Sequence, residues 1–367
     1  MSTFQVLLAL TAQKGWFLPL GLSALPNSVC KLERSLYGLK QASSSTTFTD
    51  LLVYVDDLVL ARNDMKEIER VKALLDAKFK IKDLGFLKYF LGFKVARSSQ
   101  SILLYQHKYA IDLLDKFGLL NAKPTSTPMN YTAPLSKCAG SPSFDLTPYC
   151  RLIGRLLYLM NTRPDISFAV NKLSQYLDCA TDMYFKVGLH ILEYIKGAPA
   201  RGILFSTTSD LCLIGYSDSD WGICPSTRRS KSRKQLTVAR SSADAEYRTL
   251  ALATFEGRWL TYILRDLQVP LCKPITLFCD NQSAIHIASN PVFQEHTKHI
   301  KINCHTVQNR VYDGSLKLLP VPSSEQVVDI LTKSLAPGPF AKIHCKIGIH
   351  DIHVPSLREV DRRNSSS

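Results

Sequence analysis

Hydrophobic and polar positions alternate in several distinct ways along this chain. Residues 1–28 are apolar-rich without a clear period. Leu51 to Ala61 (LLVYVDDLVLA) is an apolar run broken only by two adjacent aspartates, Asp56 and Asp57. Its Val and Leu content predicts two short strands joined by an acidic turn. Met65, Ile68, Val71, Leu74, Leu75 and Phe79 then recur at helical spacing, with Asn63 or Asp64 placed to cap the helix they predict. Residues 121–148, rich in Pro, Ser and Thr, read as a linker. Amphipathic helices follow. One is opened by Pro164 and carries Ile166, Ala169, Val170, Leu173 and Leu177; another runs from about Tyr184 to a stop at Gly197. Beyond residue 205 the pattern predicts strands at Leu211–Ser217, Ile275–Cys279 and Leu316–Val321. A long helix over Ala243–Leu267, a short one after Cys279, and a last one capped by Ser323 or Ser324 and running to Leu331 lie between and after them. Strands alternating with helices argue an α/β layer. The tail after residue 354 is polar and is expected to fray.

Composition changes this picture in two respects. At 367 residues and 46% hydrophobic content the chain can bury a sizeable core in two or three domains. Disorder, a collagen-like chain and a disulfide miniprotein are excluded. The formal net charge of +14 points to an anionic partner, with nucleic acid ahead of a membrane surface. The ten cysteines lie far apart with no CxxC pair, as expected of reduced thiols in an intracellular protein. No run of 18 apolar residues predicts a membrane span, and no basic region precedes Phe4 to Leu10 to suggest a secretory signal. His296, His299, Cys304 and His305 could be read as a metal site, but no second ligand pair stands at a usual zinc spacing.

The acidic residues carry the candidate chemistry. Asp218 and Asp280 each end a predicted strand, Glu246 lies in the first turns of the long helix, and Asp329 lies in the last helix. Open α/β sheets place functional groups at such strand ends and adjoining helix starts. Carboxylates gathered there repel one another unless a cation neutralises them, and two magnesium ions could clamp the attacking and leaving oxygens of a phosphodiester. Each acid taken alone reads more readily as an ordinary cap or surface charge; it is their recurrence that shifts the balance. The Asp56–Asp57 pair is more telling, because a hairpin without function would more often turn on Asn-Gly or Asp-Gly. Arg228, Arg229, Lys231, Arg233 and Lys234 place five charges in seven positions; they read as phosphate contacts or as a solvated loop. Lys40, near Lys31, Arg34 and Tyr37, is a weaker candidate of the same kind.

Several blocks resemble the Pol polyprotein of copia-type LTR retrotransposons. VCKLERSLYGLKQAS (29–43) is similar to the stretch before the active hairpin of their reverse transcriptase, and LLVYVDD (51–57) resembles their YVDD box. DLGFLKYFLGFKV (83–95) resembles the segment after the palm, and YCRLIGRLLYLMNTRPDISFAV (149–170) the connection to ribonuclease H. GYSDSDW, ARSSADAEYRTLA, CDNQSAIHIASNP, HTKHIKI and VDILTKSL resemble the RNase H part, in order. The resemblance implies an RNA-directed DNA polymerase joined to RNase H. Its fold would be an α+β reverse-transcriptase palm remnant with a helical connection, followed by an incomplete α/β RNase H-like domain. The segments would be an unassigned stretch at 1–28, a palm and post-palm fragment at 29–120, the linker at 121–148, the helical connection at 149–205, the RNase H-like domain at 206–340 and a tail at 341–367.

By the same resemblance Asp56 and Asp57 would be magnesium ligands of the polymerase. Asp218, Glu246, Asp280 and Asp329 would be the Mg2+ ligands and catalytic acids of RNase H, with Asp220 competing for the place of Asp218. The partners would be a primer–template and an RNA–DNA hybrid, with no membrane. This chain departs from the family at three places. No acid among residues 1–28 can stand for the upstream palm aspartate, and Asp50 is too near the hairpin. Only Ser44 to Asp50 separate the GLKQA block from the hairpin, where the family has several dozen residues. Thr227–Ser230 run almost directly into Arg233-Lys234-Gln235, so one or two strands are expected to be missing. An internally deleted copy with lost polymerase activity is therefore expected. The competing expectations are a non-enzymatic, charge-held nucleic-acid binder and a relic that does not fold stably.

Overall fold

A computed structural model describes residues 2–15, 22–24, 40–44, 47–54, 57–61, 64–79, 81–131, 140–141, 145–219, 242–269, 271, 273–289 and 306–352. The chain opens with a helix, α1 (Ser2–Lys14), where the sequence offered no period. Phe4, Leu7, Leu8, Leu10, Thr11 and Ala12 are all buried. A helix covered on most sides needs no polar face, which is why no amphipathic signature marks it.

Strand β1 (Leu22–Ala24) is followed by a separate antiparallel meander, β2 (Lys40–Ser44), β3 (Thr47–Tyr54) and β4 (Asp57–Ala61). The predicted two strands about the acidic pair are β3 and β4, antiparallel, with Tyr54 opposite Asp57. Helix α2 (Met65–Phe79) follows, its start held by Asp64 Oδ1 accepting from the Lys66 amide at 3.0 Å. Of its apolar face Ile68 is fully buried, while Leu74 is exposed. β5 (Ile81–Asp83) returns to pair antiparallel with β1.

A region that hydrophobic periodicity did not delineate comes next. β6 (Tyr89–Phe90), β7 (Phe93–Arg97) and β8 (Ser101–Tyr105) form an antiparallel ladder. Its first turn uses Leu91 and Gly92, both at positive φ (50° and 76°), the geometry that matches a tight hairpin to strand twist. Helices α3 (His107–Lys116), α4 (Thr147–Leu159), α5 (Ser167–Ser174) and α6 (Asp182–Lys196) then pack together. Leu113, Leu152, Ile153, Leu156, Val170, Leu173, Ile191 and Ile195 form their common core. Pro164–Ile166 is a 3-10 turn ahead of α5, so Pro164 opens the helical stretch as its sequence position suggested. α6 begins two residues before Tyr184, on Thr181, whose side chain accepts from the Tyr184 amide, and ends at Gly197.

Strand β9 (Arg201–Ser206) leaves this bundle. The chain then builds β10 (Ile214–Ser217), α7 (Ser242–Asp266), β11 (Ile275–Cys279), α8 (Gln282–Ser289), the helical residues 306–312 (α9) and β12 (Leu316–Pro320). β10, β11 and β12 form a parallel sheet in that order. Among the described residues β10 has a neighbour on one side only, and Ile214 is 56% exposed. Tyr247, Leu250 and Ala251 of α7 cover the sheet against Leu277 and Leu316. The predicted last helix is divided: Ser323–Glu325 is a 3-10 turn and α10 spans only Asp329–Thr332. α11 (Pro337–His344) and β13 (Ile349–Asp351) complete the described chain. β13 pairs with β9 at the edge of a five-stranded antiparallel sheet of order β13-β9-β8-β7-β6. That sheet ties together strands more than 250 residues apart in sequence, a connection invisible to local pattern.

One buried charge network locks the helical bundle. Arg163 and Asp165 are fully buried and form a bidentate pair, with Arg163 Nη2 2.7 Å from Asp165 Oδ2 and Nε 2.9 Å from Oδ1. Arg163 also donates to the Ala198 carbonyl, and Tyr194 donates its hydroxyl to Asp165 Oδ2 at 2.7 Å. His344 of α11 reaches the same oxygen at 3.5 Å. Burial pushes the Asp165 carboxyl up, but the Arg163 charge, the nearby His344 imidazole and the hydrogen bonds from Arg163 and Tyr194 outweigh it and hold it far below the usual carboxylate range.

Candidate metal centre at the end of a parallel sheet

The parallel register sets the site. Ser217 of β10 pairs beside Cys279 of β11, so Asp218 and Asp280 are each the first residue beyond two aligned strand ends. Glu246 projects from the second turn of α7, and Asp329 begins α10. Asp218 and Glu246 are both buried. The Ser219 amide donates to Glu246 Oε1 at 3.0 Å, which fixes the loop after β10 against α7. Gln326 donates to the Ser217 carbonyl at 3.0 Å and draws the chain before α10 to the same strand end.

The four acids fall into two differently served halves. In one, Glu246, Cys279 and Asp280 offer ligand atoms all within 4.8 Å of one another. Ser323 donates to Asp280 Oδ2 at 3.3 Å, while Glu246 Oε2 is buried without a hydrogen-bond partner. Neither Glu246 nor Asp280 pairs with a lysine or arginine among the described residues. In the other half Thr332 donates to Asp218 Oδ2 at 2.6 Å. Lys333 Nζ lies 2.8 Å from Asp329 Oδ1 and 3.4 Å from Asp218 Oδ1.

The electrostatics follow from this division. Burial, with the negative charges of Asp218 and Asp280 added, pushes the Glu246 carboxyl up to about 8, against the hydrogen bond from Ser219. Burial also raises Asp329, and Lys333 offsets part of that rise. The Cys279 thiol is pushed up to about 11, mainly by burial, so at neutral pH it is a protonated soft group beside hard oxygens. Carboxylate oxygens suit Mg2+, and a buried carboxylate oxygen without a partner is the observation that fits such an ion here. Glu246 and Asp280, with Asp218 and Asp329 adjoining, are the residues that could hold it.

The other residues singled out from the sequence stand elsewhere. Asp57 begins β4. Lys40 begins β2, one hairpin away, opposite Leu51. Asp56, Asp220, Arg228, Arg229, Lys231, Arg233, Lys234 and the His296–His305 group lie outside the described residues. Sequence reasoning missed Thr332, Lys333, Ser323 and Gln326. Lys333 had one local signal: it stands four residues after Asp329, the spacing that brings two side chains together on a helix.

Comparison with known proteins supports the resemblance to copia-type Pol polyproteins. The reverse transcriptase (RNA-dependent DNA polymerase) family matches residues 47–131, which run from β3 to just beyond α3. The retrovirus-related Pol polyprotein from transposon RE1 of Arabidopsis thaliana is 36% identical over 370 residues, covering 88% of this chain. That from transposon TNT 1-94 of Nicotiana tabacum is 32% identical over 88% of this chain. The chain belongs to the copia-type retrotransposon Pol family. This Pol chain spans about a quarter of the length of those curated relatives, 25% of the first and 28% of the second. A solved foamy viral protease–reverse transcriptase in complex with double-stranded DNA is similar over 74% of this chain and 46% of its own. Its identity is 10% and its TM-score 0.35, too distant to bear on the fold. No helix of the described residues is long and apolar enough to cross a membrane.

Proposed function

We propose that this Pol segment carries an RNase H-type nuclease centre in its parallel-sheet unit, together with a reverse transcriptase palm remnant that no longer polymerises. The observation that carries the first part is the convergence of Asp218, Glu246, Asp280 and Asp329 at one end of β10 and β11. Mg2+ held there would supply Lewis acidity and a nucleophile at neutral pH for attack on a phosphodiester. The chain's own part is to fix the carboxylates before substrate arrives. The paired strand ends position Asp218 and Asp280. The Ser219 amide orients Glu246, and Gln326 anchors the segment bearing Asp329. Glu246, retaining its proton near neutral pH through burial, can give that proton up when positive charge enters the site. The substrate in this reading is the RNA strand of an RNA–DNA hybrid, and the net charge of +14 supplies non-specific attraction to its phosphates.

The loss of polymerase activity is supported by the short β2–β3 connection. Only residues 45–46 separate β2 from β3, where the family resemblance calls for several dozen residues of palm. Asp57 begins a strand of the three-stranded meander that this short connection joins.

Full-length protein incubated with a labelled RNA–DNA hybrid and Mg2+ tests the nuclease. The expected result is RNA cleavage that Asp280→Asn abolishes. An intact hybrid in the presence of well-folded protein would overturn the proposal and favour a binder held by charge alone. Primer extension on an RNA template is expected to yield no product, and extension would refute the loss of polymerase.

A further inference from the structure

Lys333 holds an unusual position for a residue beside a metal centre. Its ammonium bridges Asp329 Oδ1 at 2.8 Å and Asp218 Oδ1 at 3.4 Å, joining two acids 111 residues apart. Asp218 is buried and its second oxygen is taken by the Thr332 hydroxyl. Both oxygens of Asp218 are thus committed to α10 and the residue after it. The neighbouring pair, Glu246 and Asp280, forms no ion pair with a lysine or arginine among the described residues. One positive side chain therefore sits where a divalent ion held by Asp218 and Asp329 would have to sit. Like charges at this range repel strongly in a half-buried site.

We propose that Lys333 is a built-in counter-ion, displaced from Asp218 and Asp329 when a divalent cation binds. The inference rests on the reading of these acids as a metal centre. Lys333 is not itself a ligand. It holds the carboxylates in place against their mutual repulsion, and it sets the cation concentration at which the site fills. Its side chain is about one-third exposed, so it can swing to solvent without repacking the core. Thr332, whose hydroxyl faces Asp218, keeps that aspartate oriented after the lysine leaves.

Isothermal titration of Mn2+ into EDTA-dialysed full-length protein tests this. Lys333→Met is expected to bind Mn2+ at least tenfold more tightly than the wild type. Lys333→Arg, which keeps the charge, should stay within threefold of the wild type. Equal or weaker binding by a folded K333M overturns the counter-ion role while leaving the metal centre intact. Absence of Mn2+ binding in both wild type and K333M overturns the metal-centre reading and this inference with it. A second measurement needs no variant. Acetylation of Lys333 in the wild-type protein, read by mass spectrometry, is expected to rise at least threefold when Mn2+ is added. Unchanged acetylation under conditions where titration detects Mn2+ binding would overturn displacement.

Discussion

Two clusters of buried charge in this molecule obey the same electrostatics and reach opposite states. Around Asp165 every oxygen is answered: a bidentate arginine, a tyrosine hydroxyl and a nearby histidine surround it, and the carboxyl is held ionised. Around Glu246, among the described residues, the carboxylates outnumber the cations and one buried oxygen has no partner, and burial pushes the carboxyl up to about 8. In the first cluster the carboxylate is answered from within the protein, and the cluster ties α6 and α11 to the turn before α5. The second leaves a buried Glu246 oxygen without a partner among the described residues, and the proposed divalent cation would answer it. Burial penalises both; internal pairing separates a structural charge from a functional one.

Breaking the Asp165 cluster should have the largest effect. Asp165→Ala strands a fully buried guanidinium and is expected to cost about 3–5 kcal/mol in urea unfolding. A cost below about 1 kcal/mol would remove the contrast between the clusters. Tyr194→Phe deletes one hydrogen bond to a charged group and should cost about 1.5–3 kcal/mol by the same assay. The Glu246 cluster should respond in the opposite direction. With EDTA present at pH 8.5, Glu246→Gln removes an unfavourable buried charge and is expected to stabilise the protein in the same assay. The same variant should lose hybrid cleavage.

The pH dependences sharpen the comparison further. Asp165, lowered on folding, contributes stability that is present above the unfolded carboxyl value and is lost as pH falls through the acid range. Glu246 is raised on folding, so its contribution is full below its unfolded value of about 4.3 and is lost as pH rises to about 8. Each proton changes stability by at most about 1.4 kcal/mol per pH unit. Melting curves in EDTA should therefore show an acid-side loss that Asp165→Asn flattens and a separate decline between about pH 5 and 8 that Glu246→Gln flattens.

The two clusters also differ in how far they could be read from the sequence. Asp218 and Asp280 were legible because each follows a short apolar strand, and Glu246 because it opens a long helix. The β3–β4 hairpin was legible through its broken apolar run, and β11 through its length and β-branched content. The contacts of Lys333 with Asp218 and of Gln326 with Ser217 were not, because those partners lie more than 100 residues away; only the spacing of Lys333 from Asp329 was local. Arg163 and Asp165 stand only two residues apart in sequence, yet the burial of the pair depends on Tyr194 and Ala198 closing over it. The five-stranded sheet escaped for a similar reason. Its β9 and β13 pair across nearly 150 residues, and α1 hides its role by being buried on most sides.

The central claim is that the acids at the end of β10 and β11 await a divalent cation while the Asp165 cluster does not. Thermal unfolding with and without Mg2+ tests it most directly. At a concentration 100 times the dissociation constant, Mg2+ should stabilise the wild-type protein by about 2.7 kcal/mol. The same addition should leave Asp280→Asn nearly unmoved, and Tyr194→Phe should gain as much as the wild type. Equal stabilisation of wild type and Asp280→Asn, or none in either, would contradict the account.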